Sequence, residues 1–138
     1  MEQYHGTNTN SANLIATGNI NTNLGGGELG KGFYTGDLKH QAYNWAWHQY
    51  KHNKSVVALN LDENDFLNLN PLCLDRKETI FYRRLIRNER STRNYIFNVN
   101  AIWAPVVGRE ILNFNQIKFE SVQAETLLNS NNVTKEIL

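Results

Sequence analysis

The spacing of apolar and polar residues changes period several times along the chain, and each change predicts an element. Leu38, Ala42, Trp45 and Ala46 stand at i, i+4, i+7 and i+8, with Tyr43, Trp47 and Tyr50 beside them. This stripe predicts a mostly buried helix over 38–52, N-capped by Asp37, with Lys51, His52 and Lys54 at its negative end. Asp75 and Glu78 form a capping-box pattern that launches a second helix to about Asn88, with Phe81, Tyr82, Leu85 and Ile86 on its buried side. Shorter helices are predicted over 12–17, capped by Asn10 or Ser11 and stopped by Gly18, and over 122–128. Alternation or β-branched content predicts strands over 2–7, 55–61, 66–70, 95–103 and 116–120, with a short strand or turn over 110–114.

Between these segments the composition turns to punctuation. Residues 21–30 are rich in Asn, Thr and Gly and predict a mobile loop leading into a short aromatic strand, Phe33-Tyr34, between Gly32 and Gly36. Residues 129–138 predict a frayed tail. Helices and strands interleave without a βαβ rhythm, so the expected architecture is a single α+β domain over 1–138 with mainly antiparallel pairing.

Charge and cysteine usage narrow the function classes. Fourteen basic and thirteen acidic residues give a net charge of +1, so no global field draws in nucleic acid or an anionic membrane. A lone cysteine, Cys73, excludes an internal disulfide, and no Cys/His spacing resembles a zinc site, so no metal is expected. The first residues lack the basic and apolar regions of a secretory signal, and no apolar run approaches membrane-spanning length. A cytoplasmic setting is the expectation.

Few residues are candidates for chemistry. His5 stands at a strand end before Gly6 and Thr7, Tyr34 sits in the glycine-bounded strand, and Gln116 opens a late strand with Glu120 on its face at i+4. Arg83, Arg84, Arg87, Arg90 and Arg93 put five arginines in eleven residues. Of these, Arg84, Arg87 and Arg90 are candidate contacts to a nucleic-acid acceptor or an acidic partner, or simply a solvated helix face.

Taken in order, these motifs resemble the ADP-ribosyltransferase superfamily, in its histidine-tyrosine branch of poly(ADP-ribose) polymerases and diphtheria toxin. Tyr4-His5-Gly6-Thr7 followed by Ile15, Gly18 and Ile20 is similar to the opening of that branch, and Gly30-Lys31-Gly32-Phe33-Tyr34 to its GKG-hydrophobic-tyrosine motif. Asn88-Glu89-Arg90, Ala104-Pro105-Val106-Val107, Gln116 to Ser121 and the Ala124 to Leu128 segment resemble a small bacterial family of predicted transferases of this kind. The resemblance spans residues 4–128. It implies split antiparallel sheets with flanking helices and NAD as co-substrate. It also implies catalytic roles for His5, Tyr34 and Gln116, with Gly6, Thr7, Gly32, Phe33 and Tyr34 binding NAD. Better-known members have glutamate where Gln116 stands, which makes Glu120 a reserve candidate. The implied activity is mono-ADP-ribosylation of a protein or nucleic acid by a bacterial toxin of a toxin–antitoxin or phage-defence locus, with a possible cognate antitoxin. Two alternatives stay open: an inactive module that binds NAD or ADP-ribose, and an NAD glycohydrolase.

Overall fold

The computed structural model describes residues 1–108 and 113–138. Of the strand or turn expected over 110–114, residues 110–112 lie outside the described residues, and 113–114 carry no regular structure. The architecture is α+β. Among the described residues the strands form a seven-stranded mixed sheet and a two-stranded hairpin.

The strands are β1 (Glu2–Asn8), β2 (Gly26–Gly27), β3 (Gly30–Lys31), β4 (Phe33–Gly36), β5 (Lys54–Asn60), β6 (Leu72–Cys73), β7 (Ala101–Pro105), β8 (Asn115–Phe119) and β9 (Thr134–Ile137). The large sheet runs β6-β7-β8-β4-β1-β5-β9, and β2 pairs with β3. Among the described residues only β6 and β7 are parallel; the other pairs are antiparallel. β1 pairs with β5 along all of its seven residues but meets β4 only at Tyr4↔Gly36. From His5 onward the β1–β4 seam is therefore open, although β4 itself is fully paired to β8.

The helices are α1 (Thr9–Ala16), α2 (Lys39–Tyr50), α3 (Glu63–Asn68), α4 (Arg76–Asn88) and α5 (Val122–Asn129). Asp75 and Glu78 cap α4 reciprocally, as their spacing predicts. Asn8, not Asn10 or Ser11, caps α1 by accepting from the Ser11 amide. Residues 66–70 do not form a strand. Asp62 accepts the Asn64 and Asp65 amides and starts α3 there, which the apolar alternation conceals. The 95–103 strand is shorter than expected and begins only at Ala101.

Strand alternation divides the core between the two faces of the sheet. Phe33, Ile117, Phe119 and Ala101 join Ile15, Phe66 and Leu128 on one face. Ile102 and Ala104 join Leu29 and Leu74 on the other, with Tyr34, Tyr82 and Phe97 packed against them. The expected frayed tail is corrected: Thr134–Ile137 extends the sheet as β9 against β5, and the Leu138 amide donates to the Val56 carbonyl at 2.9 Å.

Nor is α2 the buried helix its stripe predicts. Ala46 is its one buried residue, and Trp45 and Trp47 are 51% and 40% exposed. The reason lies in β1. A Cβ on Gly6 would strike the Ala42 carbonyl and come within 3.2 Å of the Ala46 methyl, so helix and strand meet backbone to backbone. An approach this close leaves no room for indoles beneath the helix. Asp37 does not cap α2 but accepts from the Asn115 amide and side chain at 3.0 and 3.1 Å, tying β4 to β8. Leu38 holds the cap position.

The candidate cleft and its residues

The open β1–β4 seam lies in a cleft of about 800 Å³ whose lining includes His5, Gly6, Thr7, Phe33, Tyr34 and Gln116. β1, β4 and β8 are adjacent in the sheet, and Gly36 of β4 faces both Tyr4 and Gln116. The three residues named as catalytic from the sequence therefore come together. Gly32 also lines the cleft. Its missing Cβ serves packing, since one there would sit 2.5 Å from Lys118 Cγ.

His5 is fixed twice. Its ring stacks on Phe33 with centroids 4.3 Å apart, and its Nδ1 lies 2.6 Å from the Tyr34 carbonyl oxygen. A carbonyl only accepts, so Nδ1 carries the proton and the neutral ring keeps its Nε2 lone pair as an acceptor. Burial lowers the His5 pKa below its ordinary value, opposed by that carbonyl bond. The imidazole is held neutral at physiological pH.

Tyr34 is also satisfied. Its hydroxyl donates to the Gly30 carbonyl at 2.6 Å and accepts from the Leu29 amide at 3.1 Å, and burial pushes its pKa well above the phenolic range. Gly27 lies against the ring, where a Cβ would be 2.7 Å from Tyr34 Cζ. Tyr34 thus organises the 21–30 segment expected to be mobile. Further anchors come from the Gly27 amide on the Thr92 carbonyl at 3.1 Å, the Lys31 amide on the Tyr95 carbonyl at 2.9 Å, and buried Thr22 on Glu125.

Gln116 turns its amide nitrogen toward Glu28 Oε1 at 2.7 Å and the Pro105 carbonyl at 3.3 Å. Both partners are acceptors, so the amide orientation is set and its oxygen faces the other way. Glu28, which drew no attention in the sequence, also accepts from the Val107 amide at 3.0 Å and pairs with Arg83 Nε at 3.4 Å.

Glu120 stands apart from this group. Its Oε1 accepts the Phe97 and Asn98 amides at 2.6 and 3.2 Å, and its Oε2 faces Lys118 Nζ at 3.3 Å. It lines a second cavity of about 570 Å³ with Asn70, Asn98 and Asn100, not the cleft of His5. Lys118, fully buried, donates to the Leu29 carbonyl at 2.8 Å and lies 4.9 Å from the Phe97 ring centre. Burial pushes its pKa down to about 8, against the opposing pull of Glu120.

Arginines 84, 87 and 90 are exposed. Arg83 and Arg93 turn inward instead: Arg83 to Glu28, and Arg93, a cleft residue, to the Leu24 carbonyl at 3.1 Å. Trp45, assigned to the core by periodicity, is a half-exposed wall of the cleft and meets Tyr50 edge to face at 6.0 Å. Among the described residues no helix is long and apolar enough to cross a membrane, and no three His, Cys, Asp or Glu side chains gather as a metal site. No protein-family model matches the chain, and no curated protein matches it in sequence.

Proposed function

We propose that this cleft binds NAD and that the protein is a mono-ADP-ribosyltransferase acting on a macromolecule, with the ADP-ribosyltransferase fold that its sequence motifs imply. The observation that carries the reading is the His5–Tyr34 junction: an imidazole fixed by the Tyr34 carbonyl at 2.6 Å, at a seam where β1 and β4 part. In the reaction the bond between ribose C1′ and the nicotinamide nitrogen breaks and its electron pair leaves with nicotinamide, which becomes neutral. An acceptor oxygen or nitrogen then bonds to C1′ and releases its proton. Positive charge develops on the ribose between these events, so groups that hold the sugar and stabilise a cation lower the barrier.

Each residue has a role within that scheme. His5 Nε2 accepts from a ribose hydroxyl, which requires the neutral ring. Backbone groups of β1 beyond Tyr4, not paired to β4, are available to the nicotinamide carboxamide. Trp45 offers a face for an aromatic ring, where stacking or cation–π attraction contributes about 0.5–2 kcal/mol. Gln116 Oε1 can accept a second ribose hydroxyl. Arg93, which lines the cleft, would meet a phosphate. We further propose a toxin role in the cytoplasm, with an antitoxin as partner and Arg84, Arg87 and Arg90 as the surface that meets the acceptor.

The test is incubation with NAD labelled in its adenylate half and a cell lysate, then digestion with nuclease or protease. Label that stays with macromolecules and disappears under one digestion supports transfer and names the acceptor class. Free labelled ADP-ribose without macromolecular label would favour the glycohydrolase.

A further inference from the structure

A cleft that cleaves NAD develops positive charge on ribose, and Gln116 carries none to oppose it. Among the described residues one acidic side chain lines the cleft, and it is Glu28. We propose that Glu28 is the carboxylate of the reaction centre, delivered from the β2–β3 hairpin, with Gln116 as the residue that positions it. This inference rests on the transferase reading given above.

Glu28 is built in by its neighbours. Three groups hold its carboxylate: the Gln116 amide at 2.7 Å, the Val107 amide at 3.0 Å and Arg83 Nε at 3.4 Å. Its side chain is only 16% exposed, and Arg83, its cation, is itself 29% exposed. Glu28 and Leu29 form the two-residue turn between Gly27 and Gly30, which pair across the hairpin. The second residue of that turn is anchored at both its backbone groups: the Leu29 amide donates to Tyr34 Oη at 3.1 Å, and the Leu29 carbonyl accepts from Lys118 Nζ at 2.8 Å. Gly30 takes φ +90°, a conformation that favours glycine, and Gly108 leaves space beside the carboxylate, where a Cβ would come within 3.0 Å of Glu28 Oε2. A surface glutamate needs none of these arrangements. The carboxylate forms no bond to the sugar here; it offers fixed negative charge as the C1′–N bond opens.

The experiment compares wild type, E28Q, Q116E and the exchange variant E28Q/Q116E. Nicotinamide release gives kcat, calorimetry gives the NAD Kd, and a melting curve reports the fold. E28Q is expected to lose about 10²–10³-fold in kcat, the usual cost of removing a preorganised polar stabiliser, with Kd changed only a few-fold. Q116E sets two carboxylates in contact, so its activity falls at neutral pH and a new ionisation enters the pH profile. The exchange variant moves the charge onto β8 and recovers activity above E28Q. Full kcat in E28Q from an enzyme that turns over NAD would overturn the inference and leave the transferase reading standing. Should E28Q and the exchange variant both lose the melting transition, Glu28 belongs to the fold and the inference is overturned. A folded wild type that binds NAD but releases no nicotinamide, even with lysate, would sink both together.

Discussion

Protonation of His5 would replace the Nε2 lone pair with an N–H and end its use as an acceptor. Burial lowers its pKa, so turnover is expected to hold steady as pH falls from neutrality to the ordinary histidine value of about 6.5, and to decline only below it. The unfolded chain takes up this proton first, so the His5 contribution to stability is present above about 6.5 and lost as pH falls through the lowered folded value. A pH–rate profile falling already above that value would contradict the assignment. Lys118 makes a second prediction, because it balances Glu120 Oε2 inside the molecule. Lys118→Met is expected to cost about 3–5 kcal/mol in urea denaturation, the penalty for stranding a buried charge, and Lys118→Met with Glu120→Gln less than the two single changes combined. In the wild type the folded lysine releases its proton near pH 8 and the unfolded one near 10.5. Stability attributable to this group therefore rises with pH across that window, and the slope vanishes in Lys118→Met. Strand alternation placed Gln116 and Glu120 on one face but carried no sign that Glu120 accepts loop amides, or that Glu28 meets Gln116 from 88 residues away.

Elements with strong local signals were readable in the sequence, and those decided by a distant partner were not. The Asp75–Glu78 box starts α4 where it predicts, because capping is settled within four residues, and the last helix falls over the predicted 122–128, with Ser121 found as its cap. The period of α2 was legible, but its burial was decided by Gly6, which draws the helix in so closely that alanines make the contact. Gly6→Ala is therefore expected to displace α2 and cost about 1–3 kcal/mol, as overpacking does, with NAD turnover falling because Trp45 and His5 move apart. An unchanged melting temperature would contradict that account. The glycine run at 25–27 suggested mobility from its composition, yet its partners, Thr92 and the Tyr34 ring, come from elsewhere in the chain.

At the scale of the molecule, the sheet is continuous from β6 to β9 but is stitched between β1 and β4 by a single pair, and the cleft occupies that seam. The α+β class was legible because apolar periodicity reports element type. Strand order was not, since β9 finds β5 across more than seventy residues and its polar sequence gives no apolar signal. Deleting residues 134–138 is expected to lower stability by about 1–3 kcal/mol through lost ladder bonds to β5; an unaltered denaturation midpoint would contradict the structural role of β9. Nicotinamide release by wild type and His5→Ala, each supplied with lysate, decides whether NAD is cleaved where His5 meets Tyr34. Wild type is expected to release nicotinamide, and His5→Ala to lose that release while keeping a cooperative melting transition, though at a lower temperature. Equal release by both proteins would contradict it.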